Sequence, residues 1–241
     1  MKNGFTKNDA LAPLGRGLGR GGKAFTLAEV LITLGVIGVV AAMTMPTLIQ
    51  NHRKQEVVTK LKKIYSMVNQ AIKLSEVEYG DHENWDMDCG TSSAPSCTTE
   101  QAIEKFNTYI GKHLEILETK SNDENSSFYV YLKDGNILEV KKYLYDIYFY
   151  TSKKAILNPK SGINLFYFRF NAKLPAGQSA DQNKDFGKGM FEPYIHTWDG
   201  TRENLLEHNI YGCKQPTLNV FCTKLIQYDG WQIKDDYPLR F

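Results

Sequence analysis

The sequence predicts an α+β protein in which one long N-terminal helix packs against an antiparallel β-sheet. Three observations predict it. An uncharged apolar stretch near the N-terminus runs directly into a segment whose apolar side chains recur every three to four residues. Farther on, aromatic-rich segments alternate with a two-residue period, some of them around Asp134-Gly135, a hairpin signal. Four cysteines follow the apolar stretch in two close pairs, which points to disulfides in an oxidising compartment. The 241 residues suffice for one sizeable domain plus an extension. A net charge of +2 implies no strong polyanion partner.

The first element is a basic head. Residues 1–24 carry Lys2, Lys7, Arg16, Arg20 and Lys23 against Asp9, a net of +4, and the remainder carries −2. Ahead of an apolar run this reads as a cytoplasmic flank. Gly17–Lys23 nearly spells a P-loop. Ala24 stands where a magnesium-binding Ser or Thr is needed, and no strand precedes it, so a flexible leader is the better reading.

The second element is the apolar segment. No charged side chain occurs from Val30 to Asn51. The run is long enough to cross a hydrocarbon core of about 30 Å at ~1.5 Å per residue. Glu29 stands just inside it, where a lone carboxylate costs roughly 2.5–3.5 kcal/mol. A secretory signal peptide cut after Val40-Ala41-Ala42 would need a long n-region and would carry Glu29 in its apolar core. A plain anchor explains the apolar residues and leaves Glu29 unexplained. Gly38 and Ala42 form a small-xxx-small pair suited to close helix packing, and Pro46 removes a helical hydrogen bond and should kink or melt the helix.

The stretch from Lys23 to Ile32, KAFTLAEVLI, resembles the prepilin processing motif of type IV pilins and type II secretion pseudopilins. The resemblance covers residues 23–50 and departs at Ala24, where Gly is usual, and in a long leader. It implies cleavage by a prepilin peptidase between Ala24 and Phe25 and N-methylation of Phe25. Glu29 then takes the position of the family's glutamate, whose partner is the freed amine of a neighbouring subunit. Pro46 takes that of a helix-kinking proline. The implied fold is pilin-like, divided as leader 1–24, transmembrane and polymerisation helix 25–50, amphipathic continuation 51–78 and head 79–241.

The continuation follows from Val57, Leu61, Ile64, Tyr65, Val68, Ala71, Ile72 and Ser75, spaced for one helix face to about Val77. Tyr79–Thr98 is a polar loop. Thr98-Thr99-Glu100-Gln101 resembles a capping box that opens a short helix to about Ile110. Strands are expected in the hairpin Ser127–Val140, at Tyr143–Tyr150 and Asn164–Phe170, and more weakly at Phe191–Trp198. Trp231 and Ile233 should anchor the tail, with Asp235–Pro238 exposed.

Cys89, Cys97, Cys213 and Cys222 allow three connectivities, and their spacing favours the two local ones, Cys89–Cys97 and Cys213–Cys222. Zinc is the competing reading and lacks a short CxxC pair. Asp181, Asn183 and Asp185 alternate like the start of an EF-hand, but Phe186 occupies the glycine position, so a solvated loop is favoured over calcium. Some pseudopilins bind calcium in such a loop, and calcium is the one cofactor in view. The five histidines show no catalytic spacing, with His196 near Asp199 the nearest approach. The aromatic residues could stack glycans or single-stranded DNA, and their alternation favours packing.

The resemblance implies a structural subunit rather than an enzyme. It would be stored as a single-pass protein of the bacterial cytoplasmic membrane, head outside, and polymerise with itself and other pilins on an assembly platform with an ATPase. Nucleic acid would be a partner only in a DNA-uptake pilus. The competing function is a membrane-anchored or secreted enzyme or binding protein.

Overall fold

A computed structural model describes residues 26–170 and 190–241. The chain divides into two units, Met1–Pro46 and Thr47–Phe241. Helix α1 (Leu27–Tyr79) begins in the first and ends in the second. The second unit continues with α2 (Thr99–Tyr109), strands β1 (Ile116–Asn122), β2 (Ser127–Leu132), β3 (Ile137–Lys141) and β4 (Asp146–Tyr150), helix α3 (Lys153–Leu157), strands β5 (Leu165–Phe170) and β6 (Phe191–Pro193), and helices α4 (Arg202–Glu207) and α5 (Cys222–Tyr228). The six strands form one antiparallel sheet in sequence order. The α+β architecture with a long helix against a sheet is therefore present.

Side-chain alternation gives the sheet two different faces. One face carries Phe128, Val130, Leu138, Val140, Ile147, Phe149, Phe166 and Phe168, all fully buried. They share a core with Val57, Leu61, Ile64, Val68, Ala71 and Ile72 of α1 and with Ala102 and Phe106 of α2. The buried positions of α1 are the ones its spacing marks, except that Tyr65 lies at the margin. The other face carries Tyr129, Tyr131, Tyr148, Tyr150 and Tyr167 around Ile137, Leu165 and Ala155. Here Glu139 is 3% exposed, and a buried carboxylate needs donors. Ser127 Oγ, Lys141 Nζ and Tyr150 OH supply them at 2.8, 2.7 and 2.8 Å.

Polar groups latch α1 to the sheet edge. The Asn69 side chain donates to the Phe191 carbonyl at 2.9 Å and accepts from the Phe191 amide at 3.2 Å, so one amide side chain pairs with β6 as a strand would. Tyr65 OH donates to Glu192 at 2.7 Å.

Several boundaries differ from those expected. The strand expected at Tyr143–Tyr150 begins at Asp146, because Leu144 adopts φ 64° in a turn. The one expected at Phe191–Trp198 ends at Pro193; one more bond, from the Tyr194 amide to the Tyr167 carbonyl at 3.1 Å, follows before the chain turns at Ile195–Trp198. The Asn164–Phe170 strand starts at Leu165. Strand β1 was not expected at all. It is a mostly exposed edge strand, and its Lys and Glu residues are of the kind that block edge pairing. Helical structure continues through Pro46, so the helix does not melt there. Within the supposedly exposed tail, Tyr237 is buried and its hydroxyl donates to the Gly162 carbonyl at 2.5 Å.

The two local disulfides, Cys89–Cys97 and Cys213–Cys222, are both formed, which removes zinc as a reading of these cysteines. Trp231 and Ile233 pack on the core as expected. Arg202 holds the tail through Asp229, at 2.7 Å from both Nε and Nη2, and through Asp236, at 2.8 and 2.9 Å.

The Asp229 side chain is 3% exposed, and Lys234 also donates to it. Burial pushes this carboxyl up, but the hydrogen bonds and charges of Arg202 and Lys234 outweigh burial and hold it below the usual range. Its stabilisation is therefore present above the ordinary aspartate value, about 3.9, and is lost as pH falls below it. Arg202→Ala is expected to lower unfolding free energy by roughly 1.5–3 kcal/mol near neutral pH, since it takes the two-pronged partner from a buried carboxylate and leaves it Lys234. Urea titration at pH 7 and pH 3 checks this, and the gap between variant and parent should shrink at pH 3. Reducing both disulfides should cost about 2–3 kcal/mol each.

Candidate functional site

The candidate site is the first part of α1. Among the described residues from Thr26 to Gln50 every side chain is exposed except Ala41, which is half-buried. Leu27 is 81% exposed, Met43 74% and Leu48 70%. A soluble monomer does not leave such a continuous apolar surface in water. By length and composition this helix can cross a membrane.

Its polar groups are arranged for that. Thr33 Oγ1 donates to the Val30 carbonyl at 2.9 Å, and Thr44 Oγ1 to the Val40 carbonyl at 3.0 Å. Hydroxyls satisfied inside their own helix need no water. At the start of the helix, Thr26 and Glu29 form a capping box. Glu29 N–H donates to Thr26 Oγ1 at 3.2 Å, and the Thr26 amide and hydroxyl both donate to Glu29 Oε2 at 2.9 Å. Sequence reasoning gave Glu29 a partner in another subunit and missed this one, although Thr-x-x-Glu ahead of an apolar run is its signature. Among the described residues, Oε1 receives no hydrogen bond from within the chain.

Gly38 and Ala42 lie one turn apart, and nothing lies within 4 Å of where a Gly38 side chain would stand, so a second helix can approach there. Pro46 offers no donor to the Ala42 carbonyl. Ala24 and Phe25 lie outside the described residues, as do Asp181, Asn183 and Asp185 and the Gly17–Lys23 stretch.

The other polar clusters are explained by the fold. His208 Nδ1 accepts from the Ile210 and Tyr211 amides at 3.3 and 3.1 Å, and its ring stacks on Tyr211. Asp199 accepts from the Thr201 amide and hydroxyl ahead of α4. His196 packs between Tyr194 and Tyr211. The residues expected nearest to a catalytic set are thus turn and packing groups. An open groove lined by Asp199, Glu203, Glu207 and His208 lies beside them. At the end of α1, His82 Nδ1 lies 2.6 Å from Glu76 and 3.4 Å from Asp81. Glu76 also pairs with Lys73 at 2.7 Å.

The model of a family of unknown function (DUF6613) matches residues 47–241. The chain belongs to this family. The match takes in the sheet, both disulfides and the amphipathic part of α1, and it starts beyond the capping box and nearly all of the apolar segment. Neither the comparison with curated proteins nor that with solved structures gives a match.

Thr26→Ala removes the capping hydroxyl. It should loosen the first turn of α1 by about 1 kcal/mol, read as roughly fivefold faster amide exchange at Ala28 and Glu29 in detergent micelles. Thr26→Ser should restore the parent rate.

Proposed function

We propose that the chain is a subunit of a type IV filament, either a pilus or a type II secretion pseudopilus. It would be cut by a prepilin peptidase after Ala24, stored in the bacterial cytoplasmic membrane with its head outside, and assembled through its N-terminal helix with copies of itself or with other pilins. The observation that carries this reading is Glu29. It is the one charge between Phe25 and Asn51, lies in the first turn of α1, and is in register with a processing motif whose cut would leave an amine four residues before it.

The physical logic is a matched pair. The capping box engages Oε2 and leaves Oε1 without a donor among the described residues. A carboxylate in low dielectric is tolerated when its remaining lone pairs meet a cation. The freed Phe25 amine of a neighbouring subunit is such a cation. Contact would then form only when the two helices are in register, and Gly38 and Ala42 would let their backbones approach.

Mass spectrometry of the N-terminus of the protein purified from its own membranes tests the processing step. A chain that starts at methylated Phe25 is expected. A chain beginning at Met1 or after Ala42 overturns the reading. Glu29→Ala should leave the membrane level of the protein unchanged and reduce its content in sheared filaments at least tenfold, and unchanged filament content would remove Glu29 from assembly.

A further inference from the structure

The segment just beyond the apolar stretch is basic. Residues 51–63 hold Arg53, Lys54, Lys60, Lys62 and Lys63 against Glu56, a net of +4. Residues 1–24 carry the same charge, so the lysine and arginine bias alone does not orient the span as the basic head suggested. Residues 76–88, at the far end of α1, hold six acidic side chains and no lysine or arginine. The charge along the sequence thus changes sign from Arg53 to the loop after α1, although Lys73, Lys105 and Lys112 pair with Glu76, Asp86 and Glu78 there.

The fold adds to the basic end. Antiparallel pairing puts the β2–β3 turn and the β4–β5 connection at one end of the sheet. Lys63 reaches Asp134 in that turn at 2.7 Å, and Lys60 donates to the Thr151 carbonyl at 3.1 Å. Those two lysines are neutralised by Asp134 and Glu56. Arg53, Lys54, Lys62, Lys133, Lys153 and Lys154 form no ion pair among the described residues, and all but the half-buried Lys54 are exposed. At the last position of α3, which follows Lys153 and Lys154 on the tyrosine side of this sheet end, Leu157 is 87% exposed.

Resting on the membrane reading above, we propose that this end of the head seats on the anionic phospholipid headgroups of the bilayer that residues 27–49 enter. The cations without an ion pair, among them Lys153, whose Nζ lies 5.3 Å from the Tyr131 ring, meet lipid phosphates, and Leu157 enters the apolar boundary beneath them. Arg53 stands three residues past Gln50, about 5 Å of helix rise, within the depth of the headgroup layer. Basic residues next to a membrane span attract anionic lipid, and an apolar side chain among them gains from a bilayer and nothing from a nucleic-acid backbone. The contact would hold the span at a fixed depth before assembly and would be broken when a subunit leaves the membrane.

The full chain reconstituted into vesicles tests this, with neutral phosphatidylcholine compared with the same lipid containing about a third phosphatidylglycerol. Flotation reads insertion, and amide exchange over residues 152–158 reads seating. Insertion into both vesicles is expected, with slower exchange at 152–158 only in the anionic ones. That protection should fall about fivefold per lysine removed in Lys153→Gln and Lys154→Gln, disappear in 0.5 M salt by roughly complete screening, and weaken in Leu157→Ser. Equal exchange in both vesicles with normal flotation overturns the seating and leaves the span. Flotation with neither vesicle overturns both. Protection by a single-stranded oligonucleotide but not by anionic lipid assigns the surface to nucleic acid and overturns the proposal.

Discussion

The constraint on which the rest depends is the uncovered apolar surface from Leu27 to Ile49. Its exposure is close to that of an isolated helix. Burying a valine, leucine, isoleucine or methionine side chain is worth roughly 1.5–3 kcal/mol, so about a dozen such residues left in water outweigh the whole stability of an ordinary domain. Some other surface must cover them. Lipid and a bundle of like helices are the two media in which a segment with internally bonded threonines and no charge from Val30 to Asn51 is at ease. The proposed life of the molecule is a passage between those two media.

The head solves a separate problem with local means. Its sheet buries phenylalanine and aliphatic residues on the α1 side and a layer of tyrosines on the other. Tyrosine suits a half-covered face because its ring is apolar and its hydroxyl can remain bonded. Tyr150 does so through Glu139, whose nearness, added to burial, raises the phenol well above its usual range. Lys141 stands 4.7 Å from the Tyr148 ring and also pairs with Glu139, so this buried carboxylate has its charge matched. Two short disulfide loops and the Arg202 clamp fix the irregular segments that the sheet does not reach.

The sequence made the periodic parts of the fold readable and the aperiodic ones not. The stripe from Val57 to Ser75 and the Asp134-Gly135 hairpin rest on spacing, which the structure reproduces nearly residue for residue. Thr98 and Gln101 form the capping box their types announce. Strand β1 was illegible because Ile116–Asn122 is mostly polar and gains its place chiefly from backbone pairing with β2, with Ile116 packed on the core. Nothing in the spacing of α1 marks Asn69, and only the arrival of Phe191, 122 residues away, gives it a role. Tyr237 failed for the same reason: its neighbours Asp235 and Asp236 are exposed, but its own hydroxyl finds Gly162. At the candidate site, Glu29 stood out because a charge in an apolar run needs a reason. Its bond to Thr26 was overlooked because an intersubunit partner already supplied one.

These elements meet in α1. Up to Ile49 its surface is apolar all round, which suits a uniform apolar medium. From Val57 it is apolar on one stripe, which suits a core on one side and water on the other. Between them stand Asn51, His52, Arg53 and Lys54, which suit neither environment and match the layer that separates them. A first-turn carboxylate serves a membrane anchor through the capping box alone, since depth is already set by the apolar length and the basic collar. That bond engages Oε2 and leaves Oε1 without a donor among the described residues. The part of the carboxylate that capping does not use is what the proposed filament reading assigns to a cation on another chain.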